Sequence, residues 1–355
     1  MKKRPLTWFC QRSEVSHGHP DKICDQISDA VVTDCLRHDR NSRVAVEALI
    51  KDNHVTVAGE MTGKHEPDVK DLIASVLFTA EPQIYRDFDL DVQITKQSPD
   101  IALGVDKKGA GDQGMMFGYA TNETAKMLPL PFVLATEAIS RLKDRDHTAL
   151  LPDAKAQVTY DYGKKRIETF LISTQHKEDV DPKDVRYLCQ RIMRQVAEAY
   201  SLNKDFRVLV NPTGRFVTGG SFADTGVTGR KIICDTYGGV CRHGGGAFSG
   251  KDPTKVDRSG AYMARKVAKD ILRHGFAKRC EVQLAYAIGV EEPVSVAVDT
   301  FHTGRAPASW LVRWIRKNYD LTPSGIIASL GLRDVNYNQV STMGHFWHQW
   351  MPWEE

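Results

Sequence analysis

The sequence has no long apolar run, little excess of charge of either sign and no paired-cysteine motif. No apolar stretch approaches the ~18 residues that a membrane-spanning helix requires, so we predict that this is not a membrane protein. Lys and Arg number 48 against 45 Asp and Glu, which gives a formal net charge of +3. This balance predicts no general attraction to nucleic acid or to an anionic membrane. Any anion site must therefore arise where basic residues cluster.

The 7 cysteines are scattered, and no two of them form a C-x-x-C pair. This pattern argues against a disulfide framework and against a zinc cluster. The charged start Met1–Pro5 is typical of a signal peptide, but Thr7 and the polar run Gln11–Ser13 interrupt the apolar stretch that should follow. We therefore expect a reduced, cytoplasmic protein.

The sequence does contain ordinary globular material, with 41% hydrophobic and 26% charged residues in a chain of 355. A single core rarely grows beyond ~250–300 residues, so two or three domains are expected. A pattern of helix, two strands and helix occurs three times, at 20–36, 44–50, 55–60 and 67–79; at 122–143, 156–162, 166–175 and 182–200; and at 257–274, 280–288, 294–300 and 307–318. The repeat predicts an α+β fold of three similar domains with mixed or antiparallel sheets, over 8–101, 109–217 and 218–352.

Two long stretches, 97–119 and 211–255, are rich in glycine and charge and lack the period of a helix or strand. Loops of this length are usually functional or disordered. The second contains Gly245–Lys251, which fits the phosphate-binding pattern G-x-x-x-x-G-K, but Asp252 follows where that motif requires Ser or Thr. A flexible glycine turn with solvated lysines is the alternative. A phosphate site is favoured because further basic residues share the stretch: Arg230, Lys231, Arg242 and Lys255.

The segment Gly109–Gly114 fits the dinucleotide-binding pattern G-x-G-x-x-G letter for letter. That fingerprint requires a buried strand before it and a helix after it. Here the charged residues Asp106–Lys108 precede it and no clear helix follows. We therefore reject a dinucleotide site and interpret the segment as a glycine-rich gate beside a site.

The segment Gly18–Lys22 combines an imidazole, a carboxylate and an ammonium at a predicted helix start. Helix capping explains Pro20 and Asp21, but it does not explain His19 and Lys22. Asp257 has two readings as well, since it could cap a helix or hold a divalent ion against phosphates. His345–His348 lacks nearby acids and is interpreted as part of an aromatic surface or interface patch with Trp350 and Trp353.

Taken together, several motifs resemble those of the S-adenosylmethionine synthetase family, in family order from about residue 13 to residue 354. They are GHPDK at 18–22 with ISDA at 27–30, KQSPDI at 96–101, GAGDQGMMFGYAT at 109–121, NPTGRF at 211–216, TGRKIICDTYGG at 228–239 and HGGGAFSGKDPTKVDRS at 243–259. The resemblance implies three domains related by pseudo-threefold symmetry. It implies synthesis of S-adenosylmethionine from ATP and L-methionine, followed by tripolyphosphate hydrolysis. It also implies Mg²⁺, two ions per site, and K⁺, and a homodimer or dimer of dimers with active sites at the subunit interface.

The matched motifs also imply a role for each site residue. The resemblance implies that the catalytic residues around the triphosphate are His19, Lys155, Arg230 and Lys251. Further ATP contacts are implied for Asp153, Arg215, Phe216, Asp224, Lys231, Ala247 and, from the neighbouring subunit, Asp112. Methionine would be held by Glu60, Gln97, Asp224, Lys255 and Ile288. Asp21 and Asp257 would hold Mg²⁺ and Glu47 would hold K⁺, although an ordinary surface charge is the alternative for Glu47 and Glu60.

The sequence departs from the family pattern near its start. His17 stands where the family usually has Glu before the GHPDK motif, Glu14 is displaced by one residue, and the loop 102–108 is shorter than usual. Two alternatives therefore stay open, a weakly active paralogue with a regulatory or assembly role and a hydrolase that acts on tripolyphosphate alone.

Overall fold

The computed structural model describes residues 9–96, 109–143 and 149–355. Its helices are α1 (Pro20–His38), α2 (Val69–Ala80), α3 (Leu130–Lys143), α4 (Pro182–Ala199), α5 (Gly220–Ala223), α6 (Ile232–Asp235), α7 (Val256–Arg273), α8 (Ala308–Asn318) and α9 (Pro323–Ser329). Its strands are β1 (Phe9–Val15), β2 (Arg43–Lys51), β3 (His54–Thr62), β4 (Asp89–Thr95), β5 (Gly114–Thr121), β6 (Leu150–Asp161), β7 (Arg166–His176), β8 (Arg207–Val210), β9 (Gly226–Val227), β10 (Arg279–Tyr286) and β11 (Ser295–Asp299).

Eleven strands of the described residues form three sheets, with the strand orders β4-β3-β2-β9, β1-β6-β7-β8 and β11-β10-β5. The central hairpin of each sheet is antiparallel, β2 with β3, β6 with β7 and β10 with β11. The pairs β3–β4 and β7–β8 are parallel. The sheets are therefore mixed or antiparallel and the fold is α+β, as predicted.

Each sheet also takes one strand from another part of the chain. The hairpin β6–β7 pairs with β1, the hairpin β10–β11 pairs with β5, and the hairpin β2–β3 pairs with β9. The same arrangement recurs in all three sheets, which agrees with the prediction of three similar domains. The predicted range 8–101 thus gives β1 to the sheet of 109–217, that range gives β5 to the sheet of 218–352, and the last range gives β9 to the sheet of 8–101.

Three apolar clusters fill the space between the sheets and the helices. One joins α1 and α2 to β2 and β3, a second joins α3 and α4 to β6 and β7, and the largest surrounds α7, β5 and β10. Along β2, Val44, Val46, Ala48 and Ile50 are buried and the residues between them face outward. This alternation leaves the outer face of the β2–β3 hairpin available to line a site.

Several predictions of local structure need correction. The repeated helices and hairpins form close to their predicted bounds, but the helix expected from residue 122 begins at Leu130. The stretch 97–119 was expected to be irregular, yet β5 begins at Gly114 because it pairs with β10 from a distant part of the chain. The strands β1, β4 and β8 were also missed. A strand after Gly109–Gly114 agrees with the rejection of a dinucleotide site, which requires a helix there.

The prediction that the aromatic C-terminal segment belongs to a surface or interface patch is wrong for Phe346 and Trp353. Phe346 and Trp353 are fully buried, and Trp353 stacks on Tyr262 with ring centroids 3.7 Å apart. Trp350, by contrast, is 64% exposed. The rings contribute to the largest apolar cluster, which also contains buried residues from more than one face of α7.

Within the described residues, no helix is both long enough and apolar enough to span a bilayer.

Candidate active site

The first turns of α1 hold the loop 226–231, which carries two of the predicted phosphate ligands. The backbone N–H of Val227 donates to Asp21 Oδ1 over 2.9 Å. The N–H of Gly229 donates to Asp25 Oδ1 over 2.8 Å. Residues four apart lie on one face of a helix, so the two carboxylates hold successive parts of the same loop.

Asp29, one turn further along α1, holds the second glycine-rich loop. Its Oδ1 accepts a hydrogen bond from Gly250 N over 3.0 Å, and both its oxygens accept from Arg258, over 2.6 and 2.8 Å. Arg258 also donates to the carbonyl of Lys251. Gly250 has φ +82°, and a Cβ there would lie 2.0 Å from the carbonyl oxygen of Val46, so this position requires glycine.

Buried charge beneath these loops is compensated. The Lys22 ammonium lies 2.6 Å from Asp235 and 2.9 Å from Asp25, and all three side chains are almost fully buried. Burial alone would lower the pKa of Lys22, but the two carboxylates outweigh that effect and raise it above its usual value. The lysine is therefore charged and fixed, and it acts as part of the scaffold.

His19 caps α1, and its ring is held as a neutral imidazole. Its Nδ1 accepts a hydrogen bond from the backbone N–H of Asp21 over 3.2 Å, so the neutral ring carries its proton on Nε2. Burial and, to a smaller extent, the charges of neighbouring cations together lower the pKa of His19 to about 2. Those cations are Lys231, Lys155, Lys22 and Arg230. All four charges disfavour a second proton on this imidazole, although Lys22 is itself paired with Asp25 and Asp235.

Each of the two loops held by α1 carries a lysine that pairs with an aspartate. Lys231 Nζ contacts Asp21 Oδ2, and Lys251 Nζ lies 2.6 Å from Asp257 Oδ2. Mg²⁺ usually binds one or two carboxylates together with substrate phosphates. The pairs fit that ion, since each lysine can move to a phosphate and leave its carboxylate to a cation. A Cβ on Gly246 would lie 2.2 Å from Asp257 Oδ1, so a larger residue there would displace that carboxylate.

A cavity of about 380 Å³ adjoins Lys251. Its floor is the outward face of the β2–β3 hairpin, where Ala45 pairs with Glu60 and Glu47 pairs with Ala58. Its walls come from the two loops held by α1 and include Thr228, Ala247, Ser249 and Lys251. The cavity thus brings together four predicted site residues, Glu47, Glu60, Ala247 and Lys251. Two of them, Glu47 and Ala247, are 200 residues apart in the sequence.

Asp153 does not line this cavity and forms a polar wall of its own against the turn at Gly220. Its Oδ2 accepts a hydrogen bond from Gly220 N over 3.0 Å, whereas its buried Oδ1 has no hydrogen-bond donor among the described residues. Burial raises the pKa of Asp153 to about 6, and the nearby charge of Asp224 adds to that rise. Glu81 accepts from Ser221 N over 3.0 Å and fixes the same turn. The wall therefore offers a buried carboxylate oxygen that a hydroxyl group could satisfy.

Other predicted site residues lie apart from the cavity. Arg215 is exposed and pairs with Glu178 over 2.7 Å, and the backbone of Phe216 pairs with that of His176. Lys255 lies 2.6 Å from the fully buried Asp252.

Asp112 is exposed, and Ile288 is 60% exposed beside the paired loops at 110 and 289. Neither residue lines the cavity of Glu47 and Glu60. Gln97 and the short loop 102–108 lie outside the described residues. His17 is half-buried, and its carbonyl accepts from Gln26 over 2.7 Å.

The sequence analysis missed the residues that hold the site together. Asp25 and Arg258 were given no role, and Asp29 served only as part of a matched motif. A signal was present, because acids at 21, 25 and 29 recur at helical spacing on a helix whose other residues are largely apolar. Buried acids at that spacing require partners, and these partners are backbone N–H groups of distant glycine-rich loops.

Three family models match the chain in succession. The N-terminal domain of S-adenosylmethionine synthetase matches residues 8–99, the central domain matches residues 107–216 and the C-terminal domain matches residues 218–355. Two relatives are S-adenosylmethionine synthases from two strains of Staphylococcus epidermidis. Each is 46% identical to this chain over 376 aligned positions, which cover 96% of this chain and 94% of the relative.

Proposed function

Because this chain belongs to the S-adenosylmethionine synthetase family, we propose that it is a methionine adenosyltransferase that makes S-adenosylmethionine from ATP and L-methionine. The methionine sulfur attacks ribose C5′, the S–C5′ bond forms as the C5′–O bond breaks, and the electron pair leaves with tripolyphosphate. Water then cleaves one P–O–P link, which yields phosphate and pyrophosphate. The thioether has no proton to lose, so the first step requires no general base.

The chemical demand of this reaction is the stabilisation of a highly charged leaving group, and fixed positive charge meets that demand. We assign this role to Lys155, Arg230, Lys231 and Lys251. Support comes from the effect of three of them on the pKa of His19 and from the backbone hydrogen bonds that fix their loops. The buried carboxylates Asp25 and Asp29 hold the backbone of the two loops in advance, so only the lysine side chains have to move during the reaction.

His19 acts as a neutral hydrogen-bond donor. Its Nε2 proton can be directed at an oxygen of the nucleotide or of the triphosphate, because Nδ1 is already occupied by the N–H of Asp21. An imidazolium would be disfavoured there by burial and by the surrounding cations. The residue therefore orients the leaving group and does not transfer a proton.

Methionine is proposed to occupy the cavity beside Glu60, with Asp224, Gln97, Lys255 and Ile288 as further contacts. The exposed Glu60 carboxylate on the cavity floor supports this, since it would pair with the amino group of the amino acid. The nucleotide is proposed to contact Asp153, Asp224, Arg215, Phe216 and Ala247. The buried Asp153 Oδ1, which lacks a donor among the described residues, supports a ribose hydroxyl nearby.

We further propose that Asp21 and Asp257 hold two Mg²⁺ ions and that Glu47 holds K⁺. When bound, Mg²⁺ neutralises charge on the phosphate oxygens and leaves the lysines free to contact them. The positions of Lys231 and Lys251 beside the two aspartates support this exchange.

A homodimer or a dimer of dimers is proposed, in which Asp112 and Ile288 serve the site of the partner subunit. Both residues are exposed, and neither lines the cavity of its own chain. A site shared between subunits would account for predicted contacts that are distant from the cavity.

The observation that carries the proposal is that α1 holds both basic loops, 226–231 and the loop of Gly250 and Lys251, and that these loops line a cavity that contains Glu60. The test is to incubate the purified protein with ATP, methionine, Mg²⁺ and K⁺, and to measure S-adenosylmethionine by mass spectrometry. We expect product that depends on methionine. Phosphate release without a sulfonium product would favour the tripolyphosphate hydrolase, and no turnover would favour a regulatory subunit.

A further inference from the structure

Three potential metal ligands meet at the C-terminal end of α1, outside the proposed active site. Asp34 and His38 lie one turn apart on α1, and His65 lies in the loop between β3 and α2. His65 Nε2 is 2.6 Å from Asp34 Oδ2, and His38 Nδ1 is 3.5 Å from Asp34 Oδ1. One ligand atom from each of the three residues lies within 4.8 Å of the others.

The loop that carries His65 is held against the helix by contacts independent of the three side chains. The backbone N–H of Lys64 donates to Asp39 Oδ2 over 3.1 Å, immediately beyond the end of α1. A Cβ on Gly63 would lie 2.6 Å from Ser42 Oγ, so glycine allows the loop to approach this closely. The position of His65 is therefore fixed by the backbone before any ligand binds.

The two imidazoles are already arranged around a single carboxylate. The rings of His38 and His65 stack with centroids 3.9 Å apart and an interplanar angle of 22°. His38 Nδ1 lies 2.9 Å from the carbonyl oxygen of Asp34, which fits a proton on Nδ1 and a lone pair on Nε2. A backbone carbonyl bound to one ring nitrogen is the usual partner of a metal-ligating histidine.

We propose that Asp34, His38 and His65 form a binding site for a divalent transition-metal ion of the Zn²⁺ class. Two imidazoles and one carboxylate suit Zn²⁺, whereas Mg²⁺ prefers oxygen ligands alone. The side chains are 20%, 49% and 28% exposed, so an ion can enter from solvent and keep a water as fourth ligand. A bound ion would link the loop 63–68 to α1, and it would not take part in the proposed adenosyl transfer.

An ion pair between Asp34 and one protonated histidine is the competing explanation of the same contacts. In that case His65 Nε2 pairs with Asp34 Oδ2, and His38 Nδ1 is held by the carbonyl oxygen of Asp34 and lies 3.5 Å from Oδ1. A metal ion would engage both rings and the carboxylate together. The two explanations differ in an observable, because only the metal site makes both histidines necessary for binding the same ion.

The test uses the full chain, stripped with a chelator and then returned to saturating Mg²⁺. Zn²⁺ binding is measured by calorimetry, and Co²⁺ binding is measured by its visible absorption bands. The variants are His38→Gln and His65→Gln. His54→Gln is the matched control, because His54 is an exposed histidine at the start of β3 and is not one of the three ligands. Circular dichroism checks that each variant keeps the wild-type fold.

We expect the wild type and His54→Gln to bind one Zn²⁺ per chain and to gain thermal stability from it. His38→Gln and His65→Gln should each weaken binding at least about tenfold and lose that gain. Absence of binding by the wild type, equal affinity in all variants, or loss in only one histidine variant would each overturn the three-ligand site. None of these results depends on turnover, so a failure here is separate from a failure of the proposed adenosyltransferase activity.

Discussion

Replacing Asp29 by asparagine would remove the charge that compensates Arg258 beneath the glycine-rich loops. Both side chains are fully buried, and the carboxylate accepts two hydrogen bonds from the guanidinium, over 2.6 and 2.8 Å. Removing one partner of a buried ion pair typically costs about 3–5 kcal/mol, because the remaining charge stays desolvated. Asparagine has nearly the same size, so the packing around Arg258 is preserved. We therefore expect Asp29→Asn to lower the free energy of unfolding by about 3–5 kcal/mol.

The assay is urea unfolding followed by circular dichroism, with Asp334→Asn as the matched control. Asp334 also pairs with an arginine, Arg40, over 2.7 Å, but the two side chains are 63% and 64% exposed. An exposed pair contributes about 0–1 kcal/mol, so the control should change the free energy of unfolding little. Equal effects of Asp29→Asn and Asp334→Asn would refute the assignment of Asp29 as the buried support of the loops.

Three further predictions concern the site. His19 has a folded-state pKa of about 2 and an unfolded value of about 6.5, so the unfolded state takes up the proton first as the pH falls. The wild type should therefore lose about 1.7 kcal/mol of stability from this group between pH 6.5 and 5.0, and His19→Asn should not; equal pH dependence in urea unfolding would contradict this. Lys251→Ala should reduce kcat about a hundredfold or more and change methionine binding little, whereas the exposed control Lys183→Ala should match the wild type. Glu60→Gln should raise KM for methionine about tenfold and leave KM for ATP unchanged, and an effect on ATP alone would contradict its role.

Much of the fold could be predicted from local sequence pattern. The hairpin β2–β3 alternates buried and outward residues, and α1 begins at a proline, so period and capping determined their positions. The strand β5 was missed because its partner β10 is remote in sequence and its glycines suggest a loop. The burial of the aromatic C-terminal segment was missed for a related reason. Trp353 stacks on Tyr262, which is distant in sequence, and local composition does not reveal such a partner.

The residues of the candidate site likewise fall into a group that the sequence could predict and a group that it could not. Motif resemblance pointed to His19, Lys251 and Glu60, which we propose contact the substrates. It gave no role to Asp25 or Arg258. Asp25 accepts from the backbone N–H of Gly229 and Arg258 donates to the backbone carbonyl of Lys251, and these contacts exist only after distant loops have folded together.

The account is tested most directly by the products of a reaction with methionine that carries ¹³C in its methyl group. Phosphate, pyrophosphate and the sulfonium product are counted in the same quenched samples. We predict labelled S-adenosylmethionine in equal amount to phosphate and to pyrophosphate. Phosphate formed without the labelled sulfonium, or no product in the presence of both metal ions, would contradict the proposed adenosyl transfer.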